Sequence, residues 1–275
     1  MFKKSILFIT FLILIFGCAK NVIIKKGSVL LTQTFKEGTI VKYKITEIMT
    51  NTMVIQSTTQ EQNITMGFDI SNEVERVKVD TVFLKTTIEK AEGTTRVQGD
   101  IKSIPDIDKL NGKSFRVTLL KNGKILNIEG DEELASEDMV SEIKSFIRVL
   151  YGFLPNTPVS LGSTWEREYQ EEGESTHSTY TLTEFQQDKE GNEIAVISTK
   201  SAVSVEKSVQ QSGMDIKTEI SGTTKGTIFC SMENGFIVSA KIHAALEGKS
   251  YISGPMGDME VPTYVNQDVE IKRIR

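Results

Sequence analysis

A period-two alternation of apolar and polar residues recurs along most of this chain and limits the folds open to it. Val41, Tyr43 and Ile45 share one face while Lys42, Lys44 and Thr46 take the other, and Phe115, Val117 and Leu119 oppose Arg116 and Thr118. Met214, Ile216, Thr218 and Ile220 alternate with Asp215, Lys217 and Glu219, and Phe236, Val238, Ala240 and Ile242 repeat the pattern. One dry face and one wet face is the mark of antiparallel sheet. The Thr, Val and Ile content suits half-buried pleated surfaces. Asn122-Gly123, Asn234-Gly235 and Glu190-Gly191-Asn192 stand between such segments. At the two Asn-Gly pairs, positive φ at both positions is expected to make tight hairpins, so a meander is the economical topology.

One segment breaks the alternation. From Glu137 to Leu150, the residues Met139, Val140, Ile143, Phe146, Ile147 and Leu150 recur at three- and four-residue spacings and predict an amphipathic helix. Ser136 is placed to cap it, Glu137 and Asp138 suit its positive end, Arg148 suits its negative end, and Gly152 and Pro155 stop it. A shorter helical turn is expected over Asp106 to Asn111. The fold class is therefore mainly β: long antiparallel strands in a curved or partly closed sheet, with one covering α-helix around 137–150.

That helix separates two stretches that look alike. GTIVKYKI at Gly38 leads to KNGKILNI at Lys121, and GSTWEREY at Gly162 leads to ENGFIVSA at Glu233. The marker glycines are 123 − 38 = 85 and 235 − 162 = 73 residues apart, so the second copy of an internal duplication would be the shorter.

The N-terminus carries a different signal. Lys3 and Lys4 precede an uncharged apolar run from Ser5 to Phe16, followed by Gly17 and Cys18. This is the layout of a secretory signal, and the run is short of the roughly 20 apolar residues that span a bilayer. Ile15, Phe16, Gly17 and Cys18 resemble a bacterial lipobox, which implies lipidation of Cys18 with palmitate-type acyl chains and a cell-envelope location. Phe16 departs from the small residue of that pattern, and Ala19 after the cysteine points to the outer membrane in an organism that has one. The expected organisation is a signal peptide over 1–17, a lipid-anchored tether over 18–35, a first β unit with its C-terminal helix over 36–151 and a second β unit over 152–275.

The lipobox, the duplicated β units, the segment LNGKSFRVTLLKNGKILNIEG from Leu110 to Gly130 and the linker LPNTPVSLGSTW from Leu154 to Trp165 together resemble an uncharacterised family of bacterial secreted lipoproteins. More distantly, long polar-backed strands under one helix are similar to the LolA/LolB and LppX half-barrels, which hold acyl chains between sheet and helices. That second resemblance is architectural, and it implies an apolar ligand space lined from the helix stripe (Met139, Ile143, Phe146, Ile147 and Leu150) and by Trp165. The same residues also read as plain core.

Chemistry is sparse. Net charge is −5 over the whole chain and 30 − 37 = −7 without Lys3 and Lys4, which leaves no general electrostatic reason to bind nucleic acid. The two histidines, His177 and His243, stand far apart with no metal-ligand spacing, so no metal and no cofactor is expected. Asp106, Asp108 and Gly112 suggest a calcium loop, but Leu110 and Val117 stand where ligands would be needed. There is no Gly-x-Ser-x-Gly elbow, phosphate-cradling loop or dinucleotide fingerprint. Cys230 is the only cysteine besides Cys18 and alternates with Ile228 and Met232, which reads as a buried apolar position. The expectation is a non-enzymatic, membrane-anchored envelope lipoprotein that binds a hydrophobic or lipid ligand. The alternative is a structural or protein-interaction module with no small-molecule ligand.

Overall fold

Alternation of this length commits the chain to strands far longer than usual, and a strand of 16–20 residues extends about 53–66 Å. In the computed structural model, which describes residues 27–130, 137–171, 173–211, 214–254 and 257–274, the order is β1 (Ile40–Ile55), β2 (Thr58–Val77), β3 (Thr81–Val97), β4 (Asp100–Ser103), β5 (Ser114–Leu120), β6 (Ile125–Gly130), α1 (Glu137–Tyr151), β7 (Thr164–Glu171), β8 (Glu174–Gln187), β9 (Glu193–Gln211), β10 (Met214–Ser231), β11 (Ile237–Ser253) and β12 (Met259–Ile274). A single 3₁₀ turn, Ile107–Leu110, occupies the short helical position expected from the sequence.

All twelve strands form one antiparallel sheet in the order β6-β5-β3-β2-β1-β12-β11-β10-β9-β8-β7, with β4 paired to β3 off this path. Each half is a meander, and the two halves meet where β1 pairs with β12, from Lys42 opposite Ile274 to Met53 opposite Thr263. The sheet is not closed. Its edges, β6 and β7, are the strands that flank α1 in sequence, so the helix crosses from one edge to the other. The marker glycines of the two look-alike stretches all take left-handed conformations: Gly38 at φ 78, Gly123 at 84, Gly162 at 83 and Gly235 at 72.

The core lies at one end of the strands. Phe115 and Val117 near one edge, Leu182 and Phe185 near the other, and Ile45, Ile271, Ala240 and Ile228 between them join Ile143, Phe146, Ile147 and Leu150 in a single buried cluster. Strands from both edges can share one cluster with a helix only if the sheet curves around it. The result is a trough with α1 lying in one end.

Two sequence expectations are corrected. The Asn-Gly turns are not double positive-φ turns: among their residues only Gly123 and Gly235 have positive φ. At the first, Gly123 N–H donates to Leu120 O at 2.8 Å and Leu120 N–H to Lys124 O at 2.8 Å, a three-residue loop that needs one left-handed residue. Adjacent positive-φ pairs occur instead at Gln56-Ser57 and Gln98-Gly99. The second correction concerns the tether expected over 18–35, whose last part is built into the body. Val29 pairs with Val159, Leu31 and Gln33 are buried, Thr34 N–H donates to Asn234 O at 2.9 Å, and Gln33 Nε2 donates to Leu150 O at 3.0 Å. Inward side chains at every second position make this stretch strand-like rather than loose.

Candidate functional site

The inner face of the trough is best followed across the strands, because each register position adds one side chain to a continuous row. The deepest row outside the packed core runs Glu47, Val269, Ile242, Gly226, Thr199, Tyr180, Trp165. Two rows further out it runs Asn51, Val265, Leu246, Gly222, Val203, Thr176, Tyr169. Small and apolar side chains dominate these rows. Inward hydroxyls in the adjoining rows satisfy one another: Ser178 Oγ lies 2.8 Å from Ser201 Oγ, and Ser250 Oγ lies 3.0 Å from Thr218 Oγ1 and 3.1 Å from Thr263 Oγ1.

Helix α1 covers only part of this face. At 1.5 Å per residue its 15 residues span about 22 Å, against strands more than twice as long. Past the helix the inward positions of β1 from Met49 onward, and Val203, Val205, Ile220, Leu246 and Val265 opposite them, are only half-buried. A hollow of about 650 Å³ lies along β7–β10, lined by Tyr169, Thr176, Val203 and Gly222 of the outer row and also by His177, Ala202 and Thr223 of the opposite face.

Of the residues singled out from the sequence, Ile143, Phe146, Ile147 and Leu150 are fully buried between helix and sheet, with the Phe146 ring 5.4 Å from that of Phe68. Nothing is described for the Met139 side chain, and Cys18 and Ser136 lie outside the described residues. Trp165 is half-buried on edge strand β7; its Nε1–H donates to Phe153 O at 2.8 Å and its ring stacks on Tyr180 at 5.9 Å. Arg167 on the same strand donates to Leu154 O and to Asn156 Oδ1 at 3.0 Å. Together these bonds hold the loop after α1 against β7, a role that sequence spacing alone does not suggest.

Sequence reasoning does not find the strongest electrostatic feature. Glu47 sits in phase with Val41, Tyr43 and Ile45, so it points inward, and it is fully buried. Gln267 Nε2 donates to its Oε1 at 2.7 Å. From α1, Glu142 faces it, and burial pushes both carboxyls above their ordinary range; Glu142 is raised further by the neighbouring Glu47. An acidic residue at an apolar phase is the signal that could have found Glu47, and Glu142 adjoins the helix stripe at Ile143.

Burial also raises the phenols of Tyr43, Tyr151 and Tyr180, while both histidines are exposed beside surface carboxylates. His177 on the outward face of β8 lies 3.2 Å from Glu168 and 3.8 Å from Glu166, and His243 lies 2.9 Å from Asp268. Among the described residues no group of three or more His, Cys, Asp or Glu side chains is arranged to hold a metal ion. Cys230 is fully buried, and burial pushes its thiol up to about 12. A thiolate is the reactive form, so Cys230 should resist a thiol reagent at neutral pH in the folded protein and react stoichiometrically in denaturant. Full labelling without denaturant would contradict this burial.

Among the comparisons with known proteins, one solved structure shares this architecture. A family model described as a family of unknown function (DUF6263) matches residues 140–237, from within α1 to the start of β11. No curated protein matches the chain. A solved structure described as lipid–protein interactions in lipovitellin superposes with a TM-score of 0.53 at 12% identity, covering 88% of this chain and 26% of that one. The chain thus spans about a quarter of that protein, and the likeness is one of fold. An outer membrane channel from Pseudomonas putida F1 (7% identity, 88% of this chain and 97% of that one) and DynF of the dynemicin pathway of Micromonospora chersina (8%, 91% and 87%) superpose only at TM-scores of 0.24 and 0.23, too low for argument.

Proposed function

We propose that this chain is a non-enzymatic cell-envelope lipoprotein, fastened to a membrane through acylated Cys18, that holds a hydrophobic ligand against the uncovered inner face of its trough. The observation that carries the reading is the mismatch between a 15-residue helix and strands of up to 20 residues, which leaves rows of Val, Ile, Leu, Met and small hydroxyl side chains uncovered among the described residues. Concave, mostly apolar surfaces with a few convergent polar groups are the usual setting of a ligand site. An elongated acyl chain suits the shape, since the rows form a strip along the strands rather than a compact pocket. The fold shared with lipovitellin, a protein described by its lipid interactions, is consistent with this reading. At the opposite end the described chain begins at Gly27, beside Ser160 of the loop after α1. Gly27 stands nine residues beyond Cys18, a reach of at most about 32 Å, so an anchor there would sit near the packed end and turn the open end away from the bilayer.

The test combines both parts. Metabolic labelling with a fatty acid is expected to mark the wild type and not Cys18→Ala. Mass spectrometry of wild-type protein gently extracted from its membrane is expected to find co-purifying lipid, which Leu246→Asp in the outer row removes while the thermal midpoint is retained. Label persisting in Cys18→Ala would sink the anchor, and lipid-free protein at every step would sink the ligand.

A further inference from the structure

One buried polar arrangement is not explained by the packing of the trough. Glu47 on β1 is fully buried; Gln267 on β12 satisfies its Oε1 at 2.7 Å, and its Oε2 meets no fixed donor among the described residues. Glu142 approaches from α1 close enough to act on Glu47 as a hydrogen-bonding neighbour. Two ionised carboxylates are acceptors only and cannot bond to each other, whereas one proton between them turns repulsion into a short, strong hydrogen bond.

The other groups facing the pair do not supply that missing positive charge at Glu47. Beside it in the sheet are Met66 of β2 and Val269 of β12, both apolar. Lys207 of β9 acts on Glu142, lowering its proton affinity, and Glu174 of β8 opposes it by raising that affinity. Arg148, further along α1, is turned to β7 and β8, with its guanidinium 3.6 Å from the centre of the Tyr169 ring and 3.6 Å from Glu174.

We propose that Glu47 and Glu142 share one proton, and that this proton latches α1 onto the sheet and closes the floor of the trough at acidic pH. The consequence for a ligand rests on the reading of the trough given above; the latch itself does not. The direction follows from linkage. Burial raises both groups in the folded state and the neighbouring Glu47 raises Glu142 further, so the stabilisation from the bound proton is complete below the ordinary carboxylate range and is lost as pH rises through the raised values. At higher pH both carboxylates ionise beneath the helix, and α1 loosens from its N-terminal half.

Hydrogen exchange of the full chain tests this directly. Protection of residues 143–151, corrected for intrinsic exchange and taken relative to β11, is expected to fall about tenfold or more between about pH 5 and about pH 8, which corresponds to a shift of one pK unit or more. In the double variant Glu47→Gln/Glu142→Gln, whose amides can bond without a shared proton, the ratio should be flat. Glu142→Gln alone, at a half-buried helix position, should show a smaller fall than the wild type and serves if the double variant does not fold. Trp165, the sole tryptophan, lies in the same cross-strand row as Glu47 and bonds to the loop after α1, so its emission should follow the same midpoint. A flat ratio in the wild type, or an equal fall in the Gln variants, overturns the latch. A fluorescent fatty acid that is released along the same midpoint ties the latch to the ligand. A titrating helix with no probe bound at any pH would keep the latch and discard the ligand.

Discussion

Phe146→Ala is expected to lower the free energy of unfolding by about 3–5 kcal/mol, measured by urea denaturation followed through Trp165 emission. The ring is buried at the centre of the helix–sheet contact, tilted against Phe68 of β2 at 5.4 Å between centroids. Truncation removes apolar burial and one aromatic pair, and it leaves a void that the strands cannot fill. The strands resist because each is held on both sides by a backbone ladder. A domain with about 5–15 kcal/mol in total would lose a large share of it. The neighbouring Val149, which only flanks the buried cluster, should cost less when truncated to Ala. Equal small losses for the two variants would mean that α1 rests on the sheet without being packed into it.

A comparable loss is expected at Gly235. An alanine there must take φ near +72 and would place its Cβ 2.1 Å from Thr32 O and 2.4 Å from Thr32 C. Left-handed backbone costs about 1–2 kcal/mol for a residue with a Cβ, and the clash is with backbone that cannot turn away, so overpacking of about 1–3 kcal/mol is added. Release of the segment around Thr32 would relieve the clash at the expense of buried Leu31 and the Gln33 bond to Leu150 O. Gly235→Ala should therefore lose about 2–5 kcal/mol in thermal or chemical denaturation and expose residues 29–35 to limited proteolysis. Gly191 is the internal control: its φ is +84, but a methyl group added there would meet nothing within 4 Å. Gly191→Ala should then cost only the backbone contribution of about 1–2 kcal/mol. Similar losses at both positions would contradict the docking of the N-terminal segment on the β10–β11 turn.

Much of the architecture is legible without coordinates because it depends on local periodicity. Val41, Tyr43 and Ile45 announce an inward face by phase alone, and the stripe from Ile143 to Leu150 announces the helix and the side it buries. The hairpins are equally local, since Gly123, Gly191 and Gly235 each end a loop between alternating runs. The site is less legible. Glu47 follows the same phase as Tyr43, yet its partners Gln267 and Glu142 are 220 and 95 residues away (267 − 47 and 142 − 47) and come from β12 and α1. No local pattern relates them.

That the segments of β1, β5, β10 and β11 become strands, that α1 is a helix, and which of their faces is apolar are written into the order of the residues, because they follow from the repeat of the backbone and the side chains it carries. That β1 pairs with β12 to make one sheet, that Gly235 meets Thr32 while Gly191 meets open space, and that two acids share one interior emerge only once the chain is folded. Those are meetings between residues distant in the chain, and they are set by how the sheet curves around α1.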